Sequence, residues 1–228
     1  MRRIDAASVR EPRDLARLVE HTLLRPEATE AEIVRLCEEA RRHGFAGACV
    51  RSSWVARAAR ELAGTGVAAV STVDFPAGTG STAARAREAR AAADAGATEV
   101  DVVLAHAALR ARDHAAVLAD LREVVQAARV PVKVILETSR LSRDEKVMAC
   151  ALAQAAGAAW VKTSTGFAGG GATVEDVELL RASVGPGVGV KASGGVRTAD
   201  DALRMVRAGA DRIGTSAGPA IVAGRFGA

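Results

Sequence analysis

Helical and strand-like hydrophobic patterns alternate along almost the whole chain, and this alternation limits the fold more than any other feature. Amphipathic stretches with helical period cover residues 30–42, 82–94, 114–127, 142–155, 174–181 and 199–207. Short apolar, β-branched runs lie between them at 46–50, 67–73, 99–104, 131–137, 160–163, 187–191 and 212–215. A first strand at 21–24 brings the strands to about eight, the number that closes a parallel sheet into a barrel. The predicted fold is α/β, a TIM (β/α)8 barrel. A doubly wound open sheet is the rival, but it calls for a switch point and often a GxGxxG turn, and neither is evident.

A weak internal repeat supports the barrel. The helix-to-strand joint recurs as Ala95-Gly96-Ala97, Ala156-Gly157-Ala158 and Ala208-Gly209-Ala210. Glycine just past a helix is a C-cap signal. Five residues beyond each glycine stand Asp101, Lys162 and Gly214, and five beyond Gly44 stands Cys49. Equivalent joints put these residues at equivalent strand levels, so Asp101 and Lys162 can both point into the barrel near its C-terminal end.

The length, 228 residues, suits one barrel domain over 1–228, with a short helix ahead of the first strand. A net charge of +4 without a run of like charges argues against nucleic acid as a partner. Cys37, Cys49 and Cys150 are too scattered for a disulfide framework or a zinc site, and no metal or other cofactor is expected. No leader-like segment or membrane-length apolar run is visible, so the reading is a soluble, cytoplasmic protein with no membrane partner. A homodimer or higher homo-oligomer is compatible with it.

Only four of the 31 basic residues are lysine: Lys133, Lys146, Lys162 and Lys191. Arginine does not act as an amine nucleophile, so the few lysines are candidates for places where amine chemistry is needed. Lys162 sits in Trp160-Val161-Lys162-Thr163-Ser164-Thr165-Gly166, an apolar strand opening into a hydroxyl-rich loop. Burial favours the neutral amine, the form that attacks carbonyls. Lys191 holds the matching place in the next strand, and two cations one strand apart repel, which is relieved when one deprotonates. Asp101, flanked by valines, is a counter-ion, a proton carrier, or both. Lys133 is either a further electrostatic member or a structural partner of Glu137, with the structural role favoured.

The last quarter reads as a phosphate site. Ser193-Gly194-Gly195-Val196-Arg197 follows the seventh strand and Gly214-Thr215-Ser216-Ala217-Gly218 the eighth, the two loops where barrels commonly hold phosphate. Glycine lets backbone N–H groups approach the oxygens, and Ser216 adds a hydroxyl. The stretch from Gly166 to Gly171 lacks the ending of a P-loop and reads as a rim loop, with Gly166 grouped among the phosphate contacts. His21, His43, His106 and His114 show no metal-ligand spacing, and Cys49 reads as a small apolar filler.

Taken in order, the stretches 20–24, 99–103, 132–138, 161–167, 190–197 and 214–216 resemble those of the deoxyribose-phosphate aldolases, a class I aldolase family, with similarity from about Leu18 to Val222. The resemblance implies reversible cleavage of 2-deoxy-D-ribose 5-phosphate, a small phosphosugar, into acetaldehyde and D-glyceraldehyde 3-phosphate in deoxynucleoside catabolism. It also implies that Lys162 forms the Schiff base, Lys191 lowers its pKa and Asp101 assists proton transfer, with Gly194, Gly195, Arg197, Gly214 and Ser216 at the phosphate. Glu20 stands where the family pattern has Asp, Asp74 where it has Gly, and Ala217 where a second serine is frequent. The chain has no tyrosine, so a tyrosine-bearing tail that aids proton transfer in some members has no counterpart. Another Schiff-base barrel, such as a transaldolase, or a non-catalytic phosphosugar-binding barrel are the competing readings.

Overall fold

The computed structural model describes residues 5–227. Eight strands, β1 Val19–Leu23, β2 Gly47–Val50, β3 Ala68–Val73, β4 Glu99–Val103, β5 Val132–Ile135, β6 Trp160–Lys162, β7 Gly189–Ser193 and β8 Arg212–Thr215, form a parallel barrel in sequence order. The last strand pairs with the first through Val19↔Ile213, Glu20↔Gly214 and His21↔Thr215, which closes the sheet and excludes the open doubly wound alternative. Among the described residues no helix is long and apolar enough to cross a membrane.

Six predicted helices form within a residue or two of the expected ends: α1 Glu30–His43, α3 Thr82–Asp94, α5 His114–Ala128, α6 Arg143–Ala155, α7 Val174–Ser183 and α8 Ala199–Arg207. Each starts at a Ser, Thr or Asp whose side chain accepts a backbone N–H of the first turn, and Thr29, Ser142 and Thr198 complete capping boxes. Three further helices, α2 Val55–Leu62, α4 His106–Arg110 and α9 Gly218–Ala223, are short additions. The expected helix ahead of β1 is a pair of 3-10 segments, Ala6–Ser8 and Pro12–Leu18.

The Ala-Gly-Ala joints are one device used repeatedly. Gly96, Gly157 and Gly209 have positive φ, and the next residue's N–H reaches back to the carbonyl five residues earlier: Ala97 to Ala92, Ala158 to Ala153 and Ala210 to Met205. Gly44 closes α1 in the same way, with Phe45 bonded back to Ala40. A shared Schellman-type ending sets an equal run-in to each following strand.

The packed apolar core lies between the sheet and its helices. Val100, Val102, Val134, Val161, Val190, Ala192 and Ile213 face outward from the barrel into it, where they meet helix residues such as Leu36, Leu121, Val124, Ala149 and Leu180. Strand side chains alternate, so the residues between those positions face the barrel interior. Leu121 is fully buried in this outer layer. Leu121→Ala is expected to cost about 2–5 kcal/mol of stability, read by urea unfolding; a loss below measurement error would show that this layer is not tightly packed.

Candidate active site

Alternation places an unusual set of side chains inside the barrel. Glu20 of β1, Glu99 and Asp101 of β4, Lys133 of β5, Lys162 of β6, Lys191 of β7 and Arg212 of β8 form one ion-paired cluster. Asp101 is at its centre. Oδ2 accepts from Lys162 Nζ and from Lys191 Nζ, each at 2.8 Å, while Oδ1 faces Lys133 Nζ at 3.1 Å. Lys162 and Lys191 are direct partners in the sheet register, and sharing one oxygen brings their nitrogens within twice that bond length. Lys191 also donates to Glu20, which in turn meets Arg212 at 3.0 Å and Lys133 at 3.4 Å. Arg212 lies over the Trp160 ring at 4.8 Å and seals the cluster from below.

The electrostatics follow from these contacts. Burial by itself would raise the carboxyl pKa values, but the ammonium groups of Lys133, Lys162 and Lys191 outweigh it and hold Asp101 well below the carboxylate range. Glu20 is likewise held low, with burial overridden by Lys133 and Lys191. Burial works against the charged form of Lys191, yet Asp101 and Glu20 push its pKa up. Lys133 is raised for the same reasons. Simple repulsion between two strand lysines is therefore an incomplete picture: the structure interposes a carboxylate, and Lys191 is a fixed cation.

Above the cluster, at the C-terminal ends of the strands, opens a cavity of about 470 Å³. Lys162 reaches it from the floor, and Gly166, Gly194, Gly195, Arg197, Gly214 and Ser216 line its walls and rim. Every residue predicted for the site thus lies at this pocket or, for Asp101 and Lys191, beneath it. Gly194 and Gly195 have positive φ, and a Cβ on Gly171 would come within 2.6 Å of the Gly194 carbonyl oxygen, so rim loop and phosphate-type loop meet backbone to backbone. Thr22, Leu24, Arg25 and Phe167 are also part of the wall, with Phe167 edge-on to Phe75 at 5.2 Å.

Of the two roles left open for Lys133, the less favoured one is seen. Lys133 does not pair with Glu137; it belongs to the charged cluster, because both it and Asp101 face inward and are register partners. Glu137 accepts instead from the Thr165 N–H at 3.1 Å and from the Thr165 hydroxyl, bracing the start of the rim loop. Glu20, noted only as a departure from the family pattern, and Glu99 and Arg212 were missed as members of the cluster. Their inward parity within strands was the signal that could have found them.

A metal fits this interior poorly. Glu20, Cys49 and Asp101 bring ligand atoms within 4.8 Å of one another, but the carboxylates are engaged by cations and burial pushes the Cys49 thiol up to about 11. A protonated thiol among ammonium groups is a weak ligand set.

Fold and site together define a closed α/β barrel whose pocket floor presents a lysine. The chain belongs to the DeoC/LacD aldolase family, whose model matches residues 17–224. It is 51% identical over 212 residues to a deoxyribose-phosphate aldolase of Bacillus subtilis, covering 92% of this chain and 95% of that one. A Streptococcus sanguinis protein of the same description is 51% identical over 211 residues, covering 92% and 96%. Among solved structures, an aldolase designated QR15 superposes with a TM-score of 0.88 at 34% identity, covering 92% of this chain and 95% of that one. The tetrameric deoxyribose phosphate aldolase of Aeropyrum pernix does so at 0.86 and 35%, covering 93% and 91%.

The charged interior sets the pH range of stability. Asp101 and Glu20 are lowered, so their stabilising contribution is complete above the ordinary carboxylate value near 4.5 and is lost as pH falls through the lowered values. Lys133 and Lys191 are raised, so theirs is complete below about 10.5 and is lost as pH rises through the raised values. Urea-unfolding midpoints are expected to be highest between about pH 6.5, below which unfolding lets the buried His106 take up a proton, and about pH 9, above which it lets the raised thiols of Cys37, Cys49 and Cys150 ionise, and to fall further as the charged cluster itself titrates. Lys133→Met should cost about 3–5 kcal/mol at pH 7 by stranding buried carboxylates; a variant as stable as the parent would remove Lys133 from the cluster's energetics.

Proposed function

We propose that the chain reversibly cleaves 2-deoxy-D-ribose 5-phosphate to acetaldehyde and D-glyceraldehyde 3-phosphate through a Schiff base on Lys162. The observation that carries this reading is a lysine on the pocket floor, tied at 2.8 Å to a carboxylate oxygen that a second lysine shares, facing glycine loops at the rim. The relatives described as deoxyribose-phosphate aldolases support the choice of substrate.

The cluster holds three carboxylates and four cations, so losing one proton brings it to balance. Lys162 is the cation whose free amine meets a ligand in the pocket. Its nitrogen adds to C1 of the open-chain sugar, and loss of water from the carbinolamine leaves an iminium. The C3 hydroxyl then gives up its proton, the C2–C3 bond breaks, and its electron pair moves into the iminium to form an enamine. D-glyceraldehyde 3-phosphate departs. Protonation at C2 and addition of water release acetaldehyde and restore the amine. Asp101 faces the nitrogen throughout and passes protons to and from it, while Lys191 and Lys133 fix that carboxylate in place. Gly194, Gly195, Gly214 and Gly166 offer N–H groups to the phosphate, with Arg197 and Ser216 adding a charge and a hydroxyl.

The substrate is a small phosphosugar, with no resident cofactor in the scheme. Three free, buried cysteines suit a reducing cytoplasm. The tetrameric Aeropyrum pernix relative supports assembly with further copies of the chain. Analytical ultracentrifugation at micromolar protein is expected to show a homo-oligomer; a pure monomer would refute that assembly.

Incubation with acetaldehyde and borohydride is expected to leave a reduced adduct on the peptide bearing Lys162, seen by mass. Lys162→Ala should lose both the adduct and cleavage of 2-deoxyribose 5-phosphate, measured by coupled detection of glyceraldehyde 3-phosphate. Full activity in that variant, or an adduct on another lysine alone, would sink the assignment. A barrel that only binds phosphosugars would give no adduct in the parent protein.

A further inference from the structure

A substrate must span from the Lys162 amine to the glycine loops, and the side chains along that path decide what its middle carbons can carry. Besides exposed Ser216, the hydroxyl-bearing residues of the pocket are Thr22, Thr165, Ser193 and Thr215. Thr22 donates to the Glu20 carbonyl at 3.0 Å, Thr215 to the Val196 carbonyl at 2.7 Å, and Thr165 to the Glu137 carboxylate. A hydroxyl has one proton to give, so these three can donate to a ligand only by breaking a bond already made.

Ser193 differs. Its hydroxyl has no hydrogen-bond partner in the protein, although the residue is only 5% exposed. Among the described residues Thr138 and Ser164 also carry buried, unpartnered hydroxyls, but neither lines the pocket. Leaving such a group unsatisfied costs stability, which is a reason to look for its partner in a ligand.

The position of Ser193 says which part of the ligand that is. It ends β7, two residues beyond Lys191 and so on the same inward face, and it immediately precedes Gly194. A Cβ on Gly214 would strike both the Ser193 hydroxyl and Lys191 Cε, so the hydroxyl leans over Gly214 beside the lysine stem. The Ser193 backbone is fixed on both sides by Thr163, whose hydroxyl accepts its N–H and donates to its carbonyl, each at 3.0 Å. A free hydroxyl on a pinned backbone is an oriented donor and acceptor.

We propose that Ser193 Oγ binds the substrate hydroxyl on the carbon next to the phosphate-bearing one, the C4 hydroxyl of 2-deoxyribose 5-phosphate, and so selects a hydroxylated acceptor aldehyde. The inference rests on the aldolase reading above. C1 is bound to Lys162 and the phosphate lies at Gly194 and Gly195, so a group beside Gly194 meets the carbon nearest the phosphate. The C3 hydroxyl, which must lose its proton, lies nearer Lys162 and Asp101.

The test runs in the synthetic direction, condensing acetaldehyde with D-glyceraldehyde 3-phosphate or with 3-phosphooxypropanal, which keeps the aldehyde and phosphate but lacks the hydroxyl. The parent enzyme is expected to favour the hydroxylated acceptor in kcat/KM by about tenfold, the weight of one hydrogen bond. Ser193→Ala should lose about that factor on glyceraldehyde 3-phosphate alone, with a thermal midpoint no lower than the parent's. Equal losses on both acceptors, or a lowered midpoint with the preference intact, would make Ser193 a packing residue and overturn the proposal. So would a parent enzyme without preference. A parent that condenses neither acceptor and gives no borohydride adduct on Lys162 would instead bring down the aldolase reading, and this inference with it.

Discussion

The structure turns on one carboxylate held among three ammonium groups inside a closed barrel. Asp101 is fully buried, as are Lys133 and Lys191, and charges so placed are tolerated only when every one has close partners. Strand parity supplies those partners. Each charged residue has at least one neighbour in sequence, a valine, alanine or isoleucine, that turns outward to the helices, so the same alternation builds the oily outer layer and the ionic interior. A one-residue slip in any of these strands would put an ammonium or carboxylate into the apolar layer and a valine into the ionic one. The pairing register and the chemistry are thus fixed by a single pattern.

The same arrangement suits an amine that changes its covalent state. In the proposed mechanism an iminium on Lys162 would carry the charge of the ammonium it replaces, so Asp101 would face a cation before capture of a carbonyl and after it. Only the short-lived neutral amine and carbinolamine leave the carboxylate with less positive charge opposite, and Lys191 and Lys133 remain against it during that interval. Their raised pKa values mean that these two neighbours keep their protons and stay as fixed cations beside it. Groups that do not need to reorganise as charge moves are what make a buried polar site effective.

Much of this was legible in the sequence, for reasons that the structure makes concrete. The six helices anticipated from periodicity all begin at a side-chain cap, whereas the overlooked α2 and α4 start at Trp54 and Ala105 with no side-chain cap at all. Local chemistry announces a capped helix and leaves a short uncapped one to tertiary packing. The glycine joints counted correctly because they share one backbone ending, and that count put Lys162 and Asp101 inside. Partnerships across the barrel were not legible. Glu20 and Lys191 lie 171 residues apart, and whether they touch depends on the tilt and stagger of eight closed strands. For Lys133 the sequence leaves both a cluster role and a partnership with Glu137 open and favours the latter on nearness along one strand, although parity and register give it to Asp101 on the neighbouring strand.

Gly214 shows how closely the floor and the rim depend on each other. Read as a phosphate-loop glycine, its task is to let a backbone N–H approach an anion. Its Cα also faces the Lys191 stem, with Lys191 Cε only 2.9 Å from where a Cβ would stand and the Ser193 hydroxyl closer still. Glycine there is therefore required by the lysine beneath as much as by any ligand above. An alanine would push on the residue that holds Asp101 in place, and the disturbance would reach the Lys162 nitrogen through one shared oxygen. In a barrel this narrow the ionic layer and the phosphate-type loops are adjoining turns of the same packing problem, and neither can be altered without moving the other.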